Sequence, residues 1–196
     1  MDTTARIHDI AELTERVRRF VQSVVTVPRY EHSVRVAQMA EQLCVRFGAD
    51  GALGYFAGIA HDMCKDMDGT QLLEYAARDG RVISRLEMER LSLLHGRAAA
   101  MLLRDRFGVT HPDVLEAVAV HTFGAVGMGH LAKVLYVADK IEPGRRFVTD
   151  AYRARLSQCS LDELVRQVVR DSIAFVLKQG EPVAPESQAL LESLEV

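Results

Sequence analysis

Apolar residues return at three- and four-residue steps along nearly the whole chain, and strand-like alternation is scarce. That period confines the fold to packed amphipathic helices, because only a helix brings such positions onto one face. Tyr30, Val34, Ala37, Ala40 and Cys44 predict one buried stripe, with Gly48 at the helix stop. Asp50 is placed to cap a second helix through Leu53, Phe56, Ala57 and Ala60 towards His61. Further helices are expected from Thr70 to about Arg78, ending near Gly80, and from His95 to Phe107, closed by Gly108. Another opens at His111-Pro112-Asp113, where the missing proline N–H costs nothing. Residues 81–92 read either as a short helix or as a turn. Gly124 to Gly129, with three glycines in six residues, reads as a loop. Leu131, Val134, Leu135 and Ala138 mark a helix that stops before Pro143-Gly144. An amphipathic helix runs from about Leu161 to Gln179, and a last one starts near Pro185. The expected fold class is all-α, a helical bundle without internal repeats.

A chain of 196 residues is most economically one domain, large enough to bury its core without covalent staples. The net charge of −3, with bases interspersed among acids, argues against a nucleic-acid partner, whose affinity needs phosphate neutralisation. It leaves room for a local basic pocket around one small polyphosphate. Cys44, Cys64 and Cys159 are scattered and form no C-x-x-C pair, as expected of reduced thiols. The first twenty residues are charged throughout and lack a signal-peptide core, and no apolar run approaches the ~20 residues of a membrane span. The reading is a cytoplasmic protein with no membrane partner.

Five segments place a histidine or carboxylate where a helix begins, ends or crosses the core: Arg29-Tyr30-Glu31-His32, His61-Asp62, His95-Gly96, His121-Thr122 and Ala138-Asp139. Imidazoles with carboxylates suit first-row divalent metals such as Fe, Mn, Co or Zn. Neighbouring helix residues point about 100 degrees apart. At a helix end, however, His61 and Asp62 can converge on a metal pair, with the carboxylate bridging two ions. His8, His111 and His130 read as ordinary surface or capping residues.

The segments RYEHSVRVAQMA, AGIAHDMCKDM, LLHGRAAAMLLRDRFGV and AVAVHTFGAVGMGHLAKVLYVADKIEPGRRF resemble, in order and spacing, the bacterial YqeK-type HD-domain proteins. The resemblance covers about residues 28–147 and continues more weakly through the tail. It implies an HD-domain bundle with a dinuclear site in its core, on which helices over about 150–196 pack. It also implies a symmetrical bis(5′-nucleosyl)-tetraphosphatase, cutting diadenosine tetraphosphate into two ADP by attack of a metal-activated water. Carried over position by position, His32, His61, Asp62 and Asp139 hold one iron. Asp62 bridges to a second iron bound also by His95 and His121.

Substrate residues follow from position. Lys65, four after His61, returns to the same face if that helix continues, and would hold a phosphate oxygen or stabilise the leaving group. Arg29 and Arg145 offer planar forks for phosphate. Thr122 and the loop from Gly124 are placed to meet the nucleotide, because glycine permits close backbone approach. Asp66 is a candidate general acid, or a group that orients Lys65. Partners are thus a dinucleoside polyphosphate or its nucleoside diphosphate product; a homodimer is left open. Two departures stand out: HTFGAVGM puts Phe123 and Ala125 where the family has a hydroxyl and an arginine, and Arg97 stands where proline is common. Rival readings are another HD-domain nucleotide phosphohydrolase, separable by its products, and a metal- or nucleotide-binding regulatory module without turnover.

Overall fold

The computed structural model describes residues 3–145 and 148–195, with side chains from residue 10 onward; the side chain of His8 lies outside that range. Among the described residues there are helices and turns but no strand. The elements are α1 (Thr3–Val24), α2 (Val27–Arg46), α3 (Gly51–Ala60), α4 (Gly69–Ala76), α5 (Arg85–Glu89), α6 (His95–Phe107), α7 (Pro112–Val120), α8 (His130–Ile141), α9 (Asp150–Leu156), α10 (Leu161–Lys178) and α11 (Pro185–Ser193). No helix among the described residues is long and apolar enough to cross a membrane.

Most expected boundaries reappear, and their local chemistry is visible. The Asp50 carboxylate accepts from the Ala52 N–H, capping α3. Gly48, Gly80 and Gly108 take positive φ of 75°, 76° and 70° after α2, the α4 region and α6, where a side chain would be strained. Residues 81–92 resolve into a helix: Ser84 and Glu87 form a capping box ahead of α5, and a 3₁₀ turn at Leu91–Leu94 leads into α6. Two helices were not anticipated, α1 and α9. In α1, Val17 and Val21 are fully buried and hold the helix against α3 despite its many charges.

The core centres on α2, α3 and α8, which pack on one another, with α6 and α7 closing the far side. The closest approach is between α2 and α3. A Cβ at Gly58 would lie 2.4 Å from the Ala37 Cα, and one at Gly54 would lie 2.6 Å from the Cys44 Sγ. Only two glycines four residues apart let the α2 stripe of Ala37, Ala40 and Cys44 seat this deeply. Helix α10 packs on α8 through Leu164, Val165, Val168 and Val169, and α11 packs on α10.

Arg97 ties the 79–87 segment to α6. Its guanidinium donates to both Asp79 oxygens at 2.8 Å, to Glu87 Oε1 at 3.0 Å, and to the Val82 and Arg81 carbonyls. A proline here would supply none of these bonds, so this chain folds the segment by a buried ion cluster instead.

Two predictions follow from packing and charge. Gly58→Ala is expected to cost about 1–3 kcal/mol through overpacking, which exceeds the ~0.5–1 kcal/mol gained in helix propensity. Thermal melting reads this as a Tm drop of roughly 2–4 °C per kcal/mol. At Asp79, burial pushes the carboxyl up, but Arg97 and Arg81 outweigh it and bring the pKa from 3.8 to about 2. The stability this adds is fully present above pH 3.8 and drains away as pH falls through about 2. The stability gap between wild type and Asp79→Asn, read from denaturant titrations, should therefore close over that acid window.

Candidate metal centre

His61, His95 and His121 sit at helix ends, and the same local device aims each one. His61 closes α3, His95 opens α6 and His121 closes α7. Each donates from Nδ1 to the carbonyl three residues earlier: Gly58 at 2.7 Å, Ser92 at 2.7 Å and Val118 at 2.8 Å. That bond sets the tautomer and leaves every Nε2 lone pair pointing inward. His32, on α2, is held differently, with Nδ1 donating to Glu142 Oε1 at 3.0 Å. Glu142 is itself fixed by Arg35 Nε at 2.7 Å and the Gly144 N–H at 2.5 Å.

The lone pairs converge on two carboxylates. His32 Nε2 lies 3.1 Å and His61 Nε2 lies 3.8 Å from Asp139 Oδ1. His95 Nε2 and His121 Nε2 stand 3.0 and 3.6 Å from Asp62 Oδ1, and 3.0 Å from each other. His61 Nε2 is also 3.6 Å from Asp62 Oδ2, so it stands between the two carboxylates. Two groups have the proximity a cation needs, His32–His61–Asp139 and His61–Asp62–His121. His61 Nε2 is fully buried and has no hydrogen-bond partner among the described residues. A buried polar atom left unpaired is costly, and a metal ion would satisfy it. The donor set therefore fits divalent metal, with His61 shared by the two binding groups and Asp62 beside it.

Electrostatics prepare the ligands. Burial drives His61 down and His121 down to about 3, so both rings are neutral donors near pH 7. Burial pulls the Asp62 carboxyl up, yet His61, His121, His95 and Lys65 outweigh it and hold it well below the usual carboxylate range. Asp139 behaves likewise under burial, Lys140, His32, His61 and Arg145.

The ligands face a pocket of about 300 Å³ whose wall also carries Arg29, Lys65, Thr122, Lys140 and Arg145. Lys65 reaches it through a turn and not along a continuing helix. The helix does not continue past Ala60; the chain turns through i-to-i+3 bonds, Met63 to Ala60 and Lys65 to Asp62. Lys65 Nζ still lies 3.0 Å from His95 Nε2 and 3.8 Å from Asp62 Oδ1. Arg145 Nη2 meets Asp139 Oδ1 at 2.5 Å, and Thr122 Oγ1 stands 3.4 Å from His95 Nε2.

Two expectations require correction. Asp66 pairs with Arg29 Nε at 2.8 Å and accepts the Thr26 N–H at 3.0 Å, so it braces Arg29 rather than Lys65 and does not line the pocket. Gly124 is needed for its φ of 74° and for Leu190, whose Cδ2 lies 2.3 Å from where a Cβ would stand. Its close approach is to the C-terminal helix α11, not to the pocket. His111 and His130, an N-cap residue and an exposed first residue of α8, stay outside the site.

Some residues had not been singled out. Lys140 Nζ donates to the His121 carbonyl at 2.8 Å and to Asp139 Oδ2 at 3.0 Å, joining α7 to α8 across the site. Gly96 has its ideal Cβ position 3.0 Å from the His121 ring, so a side chain beside His95 would displace His121. Glu142, visible only as part of the EPG segment, becomes a His32 orienter once α2 and α8 are side by side.

Comparisons with known proteins identify the family. The HD domain family model matches residues 29–144. The symmetrical bis(5′-nucleosyl)-tetraphosphatase of Bacillus subtilis (strain 168) is 34% identical over 167 residues, covering 85% of this chain and 89% of the relative. The protein of the same name from Staphylococcus aureus is 29% identical over 167 residues, covering 84% and 86%. A crystal structure of an HD superfamily hydrolase from Clostridium acetobutylicum superposes with a TM-score of 0.85 at 26% identity, covering 92% of this chain and 96% of the other.

The position of Asp62 among His61, His95 and His121 generates a paired prediction. Wild-type protein should carry about two divalent ions per chain by elemental analysis, and Asp62→Ala should lose metal and activity together. Lys65→Ala should keep its metal while turnover falls about 10²–10³-fold. Loss of metal from Lys65→Ala would instead mark Lys65 as part of the metal-holding structure.

Proposed function

Since the chain belongs to the HD-domain family, with the symmetrical bis(5′-nucleosyl)-tetraphosphatases among its relatives, we propose that it hydrolyses diadenosine tetraphosphate symmetrically to two ADP. The observation that carries this reading is the joining of two imidazole–carboxylate groups with four cationic side chains around one small pocket. Divalent ions bound there lower the pKa of water and neutralise charge on an attacked phosphate. Iron is the proposed ion, with Mn, Co or Zn as alternatives suited to the same ligands. His32, His61, Asp62 and Asp139 would hold one ion, and Asp62, His95 and His121 would hold the other. A cytoplasmic setting belongs to the same proposal and is consistent with three free cysteines.

The protein's own groups account for binding and orientation. A dinucleoside tetraphosphate carries several negative charges in a short span, and Arg29, Lys65, Lys140 and Arg145 face it from different elements. Asp66 holds the Arg29 fork in place, and Asp139 does the same for Arg145. Lys65 stands beside Asp62 and His95, where charge develops as the phosphoanhydride bond breaks. Thr122 supplies a hydroxyl beside His95.

A symmetrical cut requires attack at the phosphorus second from one adenosine. The pocket then grips one nucleoside diphosphate half, and the other leaves past Arg29 or Arg145. Hydrolysis in water enriched in heavy oxygen should place label on the terminal phosphate of ADP. Diadenosine triphosphate, where cut, should yield ADP and AMP. AMP with ATP from the tetraphosphate would contradict the symmetrical reading even in an enzyme with both ions bound.

A further inference from the structure

The pocket at the ligands is walled mainly by charged and polar residues, with Pro28 as its apolar side chain. A substrate that ends in two nucleosides needs an apolar face within reach of its phosphates. One lies next door. A groove of about 540 Å³ runs between the Val148–Tyr152 segment and α10, and it shares Thr122, Asp139, Lys140 and Arg145 with the pocket. Beyond those four the wall turns apolar, through Ile141, Val148, Val168 and Val176.

The groove is also graded in charge. Lys140 and Arg145, with the Asp139 carboxylate they both contact, stand at the end shared with the ligand pocket, while Asp171 on α10 lies outside the shared residues. A polyphosphate is drawn to the shared end and repelled by Asp171. Asp171 accepts from Tyr152 Oη through Oδ2 at 2.5 Å and from Gln167 Nε2 through Oδ1 at 3.0 Å. A carboxylate offers about four acceptor sites, so roughly two stay open to hydroxyl donors. Burial and the neighbouring Asp171 both push the Tyr152 hydroxyl up, so it stays protonated and keeps Asp171 in place.

We propose that this groove receives one nucleoside of the dinucleoside polyphosphate, its base against the apolar wall and its ribose hydroxyls donating to Asp171. Tyr152 is the positioning residue for that carboxylate. The assignment rests on the dinucleoside polyphosphate reading above and adds the residues that distinguish a nucleoside-bearing substrate from a bare polyphosphate.

The test measures binding to metal-loaded protein with an uncleavable methylene-bridged diadenosine tetraphosphate, its doubly 2′,3′-dideoxy counterpart, and inorganic tetraphosphate. Asp171→Asn and Tyr152→Ala, both near the surface, should each weaken the ribose-bearing analogue fivefold or more. Inorganic tetraphosphate should bind both variants as it binds wild type. The preference for ribose over dideoxyribose should shrink in Asp171→Asn. Unchanged affinity for the ribose analogue, or an equal loss for inorganic tetraphosphate, overturns the assignment. Product analysis on wild type stands apart: products other than two ADP refute the symmetrical hydrolase reading, while the affinity pattern alone decides the groove.

Discussion

Two carboxylates, Asp62 and Asp139, lie in the interior of a helical bundle, and most of the unusual features of the fold serve to keep them charged there. Burying an ionised carboxylate costs several kcal/mol unless it is paired and hydrogen-bonded. Here both are held well below the usual carboxylate range, with Lys65 beside Asp62 and Lys140 and Arg145 beside Asp139 supplying positive charge. The rings of His61 and His121, kept neutral by burial, turn their Nε2 atoms towards these carboxylates, an arrangement of acceptors facing acceptors. Its natural complement is a cation, which is why the site reads as a metal centre before any substrate is considered.

Bringing the ligands together demands very close helix packing. His32 rides on α2 and His61 ends α3, and the two helices meet at Ala37 and Gly58 with no space for another methyl group. Gly58 also supplies the carbonyl that orients His61. Gly96 plays the equivalent part for His95 and His121. Glycine beside these histidines therefore acts through packing: it removes the side chain that would hold the rings apart.

The charged residues around the site work as braced pairs. Asp66 positions Arg29, Glu142 links Arg35 to His32, and Lys140 spans α7 and α8. The same principle operates away from the site, where Arg97 replaces a common proline and gathers Asp79, Glu87 and two carbonyls. In each case a buried or half-buried guanidinium or ammonium is matched group by group, as a low-dielectric interior requires.

Much of this was legible in the chain itself. Hydrophobic period and glycine stops located α2, α3, α6, α7, α8, α10 and α11, because those signals are local and each helix carries its own. The segments that bring imidazoles and carboxylates together were also readable as candidates, since His61-Asp62, His95-Gly96, His121-Thr122 and Asp139 stand in an order that resembles the family's. Helix α1 escaped because its charges mask a two-valine seam, and α9 because seven residues hold too little period to detect. Other features only the tertiary structure decided. The sequence at Asp66 permits a bond to Lys65, but the turn after Ala60 sends it to Arg29 and to Thr26, the latter forty residues away in the chain. Gly124 looks like a glycine for ligand approach, yet it is α11, folding back from residue 185, that occupies the space beside it. A residue's own chain determines whether it is helical, capped or charged; which partner reaches it depends on elements distant in sequence, and only their packing in three dimensions selects one.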